Sequence, residues 1–312
     1  MSRSVLVTGG GGFIGSNLVR ALLDRGDRVR VLDNFSTGNR RNLDGLDDVE
    51  IVEGELRSYE RVHNAVRSVE VVFHQGALPS VPRSVQDPLT TGAVNVEGTL
   101  NVLLAARDEG VRRVVFASSS SVYGNSGTLP RREAQTPDPI SPYAVAKLAA
   151  ERYCVSFFRV YGLETVALRY FNVFGERQDP TSQYAAVVPR FVTAIAERRP
   201  VPIHGDGTQS RDFTYVGNVV AANLLAADRD DVGGSVLNVA TGRQASVDEL
   251  ADTIGAVLGE TVEKQYLPTR AGDVRNSWAD VAEAERLLGY RTQVELEDGL
   301  RLTAESLLGA GA

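Results

Sequence analysis

Cysteine is nearly absent from the chain: Cys154 is the only one, so no internal disulfide can staple the fold. The three histidines, His63, His74 and His204, are scattered without metal-ligand spacing, and no metal site is expected. Positive charge is short as well. With 33 Lys and Arg against 40 Asp and Glu, the net charge of -7 argues against a nucleic-acid or anionic-membrane surface and leaves any bound phosphate to a few focused arginines. The "VLV" run after Met-Ser-Arg-Ser is too short for a signal peptide, and no later segment is long and uncharged enough to span a bilayer. A cytoplasmic protein with neither membrane nor nucleic-acid partners is expected. Repeats and low-complexity linkers are missing too.

What remains is an ordinary globular balance, 43% hydrophobic and 23% charged over 312 residues, enough for one large domain or two. Short β-branched runs ("SVLVTG", "RVRVLDN", "VEIVEG", "VEVVFHQ", "VRRVVFASS", "ETVALRYF") alternate with helical patterns ("NLVRALLDRG", "GTLNVLLAARDEG", "AVAKLAAERYCVSFFRVYG") as far as about Phe174. Such alternation predicts an α/β fold with a doubly wound parallel sheet. Beyond "FNVFG" the regularity breaks into Pro- and Gly-punctuated pieces and resumes with the amphipathic "SVDELADTIGAVLG", which predicts a smaller mixed α/β domain closing over the first. The expected division gives 1–168 with about 214–239 to a Rossmann-type dinucleotide-binding domain, and 169–213 with 240–312 to a substrate domain.

"VLVTGGGGFIG" sets a glycine cluster between the first strand and a helix expected to begin near Ser16, where glycines permit a tight turn and let a pyrophosphate approach the helix N-terminus. The second strand ends in Asp33, which can bond both hydroxyls of an adenosine ribose and would repel a 2′-phosphate. No Arg or Lys follows at once in "DNFSTG", so the cofactor reads as NAD rather than NADP.

Two further stretches bear on chemistry. "ASSSSVYG" ends a core strand in four hydroxyls, and a hydroxyl buried without a partner costs about 1–3 kcal/mol, so the run is expected to open onto something polar. "SPYAVAK" puts Tyr143 and Lys147 four apart, on one face of a helix. An ammonium beside a phenol favours the phenolate and could supply a general base near neutral pH, with a serine holding the substrate hydroxyl.

At "TGGGGFIG", "FASSSSVYG" and "YAVAK" the chain resembles the extended short-chain dehydrogenase/reductase family. More closely still, "VEGTLNVL", "SPYAVAK", "LRYFNVFG", "GDGTQSRDFTYV" and "AGDVRNSWAD" are similar to the nucleotide-sugar 4-epimerases related to UDP-glucose 4-epimerase, nearly end to end. The resemblance implies that Ser119 is the catalytic serine with Ser121 near the sugar, that Tyr143 is the base, and that Lys147 binds the nicotinamide ribose and lowers the tyrosine pKa. It implies that Gly9, Gly12, Gly15, Asp33, Asn34, Ser36 and Gly38 hold the adenosine half of NAD, with Asn95 and Tyr170 nearer the nicotinamide. Glu55 stands where the family usually has an adenine-binding aspartate. For the UDP half it implies a diphosphate clamp of Arg211 and Arg270, Asp273 on the uridine ribose, Asn172 on the diphosphate, and uracil held by backbone at about Val187. Two apolar helices, "TLNVLLAA" and "AVAKLAAERYCVSFF", pair across a homodimer in relatives.

The serine segment also bears on the reaction. Nucleotide-sugar dehydratases and decarboxylases of this kind carry an acidic residue just before the Val-Tyr-Gly, where this chain has Ser121. Without that acid a 4-keto sugar is expected to turn over and be reduced on its other face, which is epimerisation. On the sugar, Ser277 falls where relatives carry a gate residue, and its small side chain leaves room for an N-acetyl group. Arg190 aligns with an arginine that uronate-specific relatives set against the sugar carboxylate, a strong and selective fork. The reading leans to UDP-glucuronate, with UDP-N-acetylglucosamine and UDP-glucose as alternatives.

Overall fold

Apolar alternation along β1 (Ser4–Thr8) shows how the molecule is layered: Val5 and Val7 point to one face and Leu6 to the other, and all three are fully buried. The structure is a computed structural model and describes residues 2–125, 127–179, 187–269 and 275–309. From β1 the chain runs through α1 (Phe13–Asp24), β2 (Arg28–Asp33), β3 (Glu50–Glu53), α2 (Tyr59–Val66), β4 (Val71–His74), α3 (Val81–Gln86), α4 (Pro88–Gly92), a π turn (Ala93–Glu97), α5 (Gly98–Asp108) and β5 (Arg113–Ser119). A 3-10 turn (Ser120–Tyr123), α6 (Pro142–Tyr161), β6 (Glu164–Tyr170) and β7 (Val173–Phe174) follow. The remainder comprises α7 (Val187–Ala196), β8 (Val201–His204), β9 (Ser210–Arg211), β10 (Thr214–Tyr215), α8 (Val216–Asp228), β11 (Ser235–Val239), β12 (Ala245–Ser246), α9 (Val247–Leu258), β13 (Lys264–Leu267), β14 (Asn276–Ser277), α10 (Ala282–Leu288) and α11 (Leu296–Gly309).

Seven strands form one wholly parallel sheet in the order β11-β6-β5-β4-β1-β2-β3. The chain winds from β1 out to β3, returns past β1, and winds the other way from β4, which leaves a crevice outside the strand ends between β1 and β4. All six strands read from the sequence are there, and the sheet is the expected doubly wound one. On one face, Leu18 and Leu22 of α1 and Val219 of α8 pack on Val5, Val7, Val71 and Val115. On the other, Val62 of α2, Val102 of α5 and Cys154 and Phe157 of α6 pack on Leu6, Val72, Val114 and Phe116. Both faces being covered accounts for the near-continuous apolar strands. Cys154 is buried there as a small hydrophobe, and burial pushes its thiol pKa up.

A third cluster joins Phe191 and Ile195 of α7, Ile203 of β8, Leu250 and Ile254 of α9 and Leu300 of α11 into a smaller mixed unit with its own short sheets. Ser246 and Glu249 close a capping box at the start of α9, and Gly259 in the left-handed region ends it. That is why "SVDELADTIGAVLG" was legible as a helix. Among the described residues no helix is long and apolar enough to cross a membrane, and no group of three or more His, Cys, Asp or Glu could hold a metal ion.

Candidate active site

The crevice is lined by Gly9, Gly12, Gly15, Asp33, Asn34, Ser36, Gly38, Glu55, Tyr143, Lys147 and Tyr170, so residues far apart in sequence meet there. Its floor depends on missing side chains. Gly9 has φ +70°, and a Cβ on Gly15 would lie 2.1 Å from the Gly9 carbonyl oxygen. Because Gly12 takes extended geometry and its carbonyl accepts from Ser16 N at 2.9 Å, α1 begins at Phe13 rather than near Ser16. The glycine run hides this start, since Gly15 sits inside the helix for close approach and not for propensity. No side chain caps α1, so its first N–H groups are left facing the crevice, where an anion would satisfy them.

Asp33 accepts from Gly11 N and Phe35 N, both at 2.8 Å; burial raises its carboxyl pKa and these bonds work against the rise. A carboxylate oxygen has capacity beyond one such bond, so the pair remains suited to a vicinal diol. Glu55 is engaged by Arg57, whose Nε and Nη2 donate to Oε2 at 3.0 and 2.5 Å. Arg57 also lines the crevice, a neighbour that sequence reasoning missed. Glycine cradle, uncapped helix and ribose-type carboxylate together fit a dinucleotide.

Asn95 is 1% exposed, and its amide is used on the Leu78 backbone, Oδ1 accepting from N at 2.8 Å and Nδ2 donating to O at 3.1 Å. The π turn buries it there, from where it shapes the wall at Ala77–Pro79. Tyr170 lines the crevice with its hydroxyl tied to Asn223 and Gln75, and burial raises its pKa to about 12.

Tyr143 sits in the first turn of α6. Its backbone N–H donates to Ser84 Oγ of α3 at 3.1 Å, and Ser141 caps Ala144 N at 3.2 Å. Burial raises the phenol pKa, opposed by hydrogen bonding with Ser119. One turn on, Lys147 Nζ donates to the Ala117 carbonyl at 2.8 Å and lies 5.0 Å from the centre of the Phe116 ring; burial pulls its pKa down to about 8. The ammonium thus bonds the strand that carries the serines.

The serine run divides its work. Ser118, which lines the crevice, donates through Oγ to Glu151 Oε2 at 2.8 Å, and the same carboxylate takes Arg169 Nε at 2.8 Å and Nη2 at 2.7 Å. Glu151 and Arg169 are 0% and 1% exposed. Ser119, partly exposed, caps the 3-10 turn and is bonded by Ser121. Sequence reasoning passed over Glu151 although a signal was present: a carboxylate four residues past Lys147, on the buried face of an apolar helix.

Beside Lys147, His74 is buried at the end of β4. Its Nδ1 lies 2.7 Å from Thr8 Oγ1, and its Nε2 lies 3.0 Å from Thr99 Oγ1, which donates to Asn95 O at 2.7 Å. Since Thr99 gives its proton away, the ring proton sits on Nε2 and the imidazole is neutral. Burial first, then the Lys147 charge, pulls its pKa down to about 3 from the ordinary 6.5. Between those values the unfolded chain holds the extra proton, so stability is expected to fall as pH drops from 6.5 towards 3. Urea midpoints at pH 7 and pH 5 measure that slope, and His74→Gln, which cannot titrate, should flatten it.

On the other lobe, Arg211 and Ser277 are register partners on β9 and β14, and Arg211 Nη1 donates to Ser210 O and Arg275 O, both at 2.9 Å. Asn172 has φ +33°, and its Nδ2 donates to Asp212 O at 3.3 Å. Asp212, fully buried, accepts from Thr241 N, Gly242 N and Ala279 N, tying β9 to the end of β11. Val187 opens α7, which also carries Arg190, partly buried. Arg270 and Asp273 lie outside the described residues.

The family described as "Epimerase: NAD dependent epimerase/dehydratase family" matches residues 5–240. The chain is 39% identical over 305 residues to a UDP-glucose 4-epimerase of Mycolicibacterium smegmatis, covering 96% of this chain and 97% of that one. A UDP-N-acetylglucosamine 4-epimerase from Methanobrevibacter ruminantium, solved with UDP-N-acetylmuramic acid, superposes with a TM-score of 0.94 at 38% identity over 99% of both chains. A UDP-glucuronic acid 4-epimerase from Bacillus cereus, solved with UDP-glucuronic acid and NAD, gives 0.91 at 30% identity over 98% of this chain and 99% of that one.

Proposed function

The chain belongs to the NAD dependent epimerase/dehydratase family, and from that premise we propose that it inverts C4 of a UDP-hexose through a transient 4-keto sugar. The observation that carries this reading is Ser119 beside Tyr143, with Lys147 one turn on and no carboxylate at Ser121. NAD, when bound, would supply the hydride acceptor for C4 and the donor that gives the hydride back, with no net consumption over a turnover. Gly9, Gly12, Gly15, Asp33, Asn34, Ser36, Gly38 and Glu55 would hold its adenosine half, and Lys147 and Tyr170 its other end. Tyr143 accepts the proton of the C4 hydroxyl, and Ser119 donates to that oxygen as it becomes a carbonyl.

The UDP half is assigned to Asn172, Val187, Arg211, Arg270 and Asp273, with Ser121 and Ser277 towards the sugar. Arg190 supports UDP-glucuronate and UDP-galacturonate as the interconverted pair. A guanidinium fork on the C6 carboxylate would also steady a 4-keto uronate, a β-keto acid prone to losing carbon dioxide. Ser277 favours the second reading, an N-acetylated sugar, because it leaves room beside the ring; UDP-glucose remains the third. A second copy of the chain is assigned to the face where Val85, Leu89 and Val145 stand 65%, 85% and 52% exposed on α3, α4 and α6.

The test uses purified protein with no added NAD, incubated separately with UDP-glucuronate, UDP-N-acetylglucosamine and UDP-glucose, and 4-epimers resolved by chromatography. Conversion mainly of the uronate is expected, from a protein whose light-scattering mass is that of two chains. Conversion of neutral sugars alone would return Arg190 to a structural role. Release of water or carbon dioxide in place of an epimer would move the enzyme to the dehydratase or decarboxylase branch.

A further inference from the structure

We propose that Asp212 is a positioning residue for substrate: its buried carboxylate holds together the chain segments that bring Asn172, Arg211 and Ser277 to the UDP-sugar. The inference rests on the assignment of the UDP half to those residues. Asp212 follows Arg211 at the end of β9 and is fully buried. Four donors reach its two oxygens. Oδ1 accepts from Thr241 N at 2.8 Å and Thr241 Oγ1 at 2.7 Å, and Oδ2 accepts from Gly242 N at 3.0 Å and Ala279 N at 3.3 Å. Three of the four are backbone N–H groups, which can only donate, so the site fits the ionised carboxylate; a protonated one would set its own hydrogen against a donor. Burial raises the carboxyl pKa, and these bonds oppose the rise.

The segments gathered are those that carry the assigned contacts. Thr241 and Gly242 lie just beyond β11, and Gly242, at φ +74°, lets two consecutive N–H groups converge on one anion. Ala279 lies two residues beyond Ser277 of β14. Asn172 reaches the same point through backbone: its Nδ2 donates to Asp212 O at 3.3 Å, and its carbonyl accepts from Thr214 N at 3.3 Å. Arg211 pairs in register with Ser277 on one side and with Ala245 on the other. β9, β12 and β14 are two residues long each, and so short a ladder fixes little by itself. The carboxylate supplies the tie that these strands lack.

A guanidinium and an amide recognise a diphosphate by direction as well as by charge. At this site those directions depend on where β9, β14 and the turn at Asn172 stand relative to one another. Asp212 is turned inward and acts through these neighbours, not through contact with substrate. Its effect falls on binding, since Ser119, Tyr143 and Lys147 belong to β5 and α6, which its carboxylate does not bond.

The experiment titrates the purified protein with UDP and with UMP, in the wild type and in Asp212→Asn. The amide keeps the volume of the carboxylate, but in either orientation its NH2 group meets a backbone N–H. The fold keeps other ties there, because Arg131 N donates to Trp278 O and Asp280 N donates to Arg131 O. UDP affinity is expected to fall about tenfold, the worth of one hydrogen bond, and UMP affinity less, since UMP offers the clamp one phosphate. On the UDP-hexose that the wild type converts fastest, KM should rise while kcat stays within about twofold, and the bound cofactor should be unchanged. Thr241→Val removes a single donor and should move UDP affinity the same way by about two- to threefold, which keeps the test open if the asparagine variant does not fold. Unchanged UDP affinity in a folded variant, equal losses for UDP and UMP, or loss of the cofactor as well would overturn the inference. A wild type that binds no UDP would instead overturn the assignment of this lobe to UDP, and this role with it.

Discussion

Replacing Tyr143 by phenylalanine is expected to lower kcat about 10³-fold, within the usual range for losing a general acid–base group, while the protein stays folded and keeps NAD. The substitution removes one oxygen. The turn that carries the ring is held independently, by Ser84 on Tyr143 N and by Ser141 on Ala144 N, and Lys147 keeps its bond to Ala117 O. Ser119 remains able to donate to O4, so what disappears is the proton acceptor alone. The check is epimer formation by chromatography together with the absorbance of cofactor released on denaturation. A variant within tenfold of the wild type, with cofactor present in both, would remove Tyr143 from the proposed role of base.

Glu151→Ala is expected to cost about 3–5 kcal/mol of stability, because it strands a buried guanidinium. Arg169 is 1% exposed, and its Nη1 has no hydrogen-bond partner, so Glu151 supplies its compensation through Nε and Nη2. The Tyr123 ring, 4.7 Å from the guanidinium carbon, adds a weaker contact that cannot replace a carboxylate. Ser118 loses its acceptor at the same time. Urea unfolding at pH 7 gives the number. A loss below about 1 kcal/mol, the size expected of an exposed pair, would mean that Arg169 finds another partner.

Much of this was legible because it is periodic or glycine-bound. The six β-branched runs could only be strands covered on both faces, and Asp33 after the second of them marked the ribose end of the crevice. Tyr143 and Lys147 declared themselves by spacing. The backbone partner of Asn95 did not, because an amide in an apolar helix gives no sign of which peptide group it will bond, and the π turn sets it on Leu78. Arg57, Ser84 and Glu151 act on residues from other elements or on a side chain two positions away, and such pairings leave no period to read. β11 fell inside the 214–239 segment given to the dinucleotide-binding domain but was not read as a strand, because a five-residue strand after a long excursion looks like any short apolar run.

That strand has a consequence for how the polypeptide is made. β11 closes the β6 edge of the sheet, yet it is translated only after the segment that builds much of the second lobe. On the ribosome, β6 therefore waits as an apolar, unpaired rim until Ser235–Val239 emerges, an interval in which it can template pairing with a neighbouring nascent chain. Truncation before Ser235 should give aggregates rather than a stable dinucleotide-binding half, which makes the last parallel strand a latch on biosynthesis as much as a wall of the crevice.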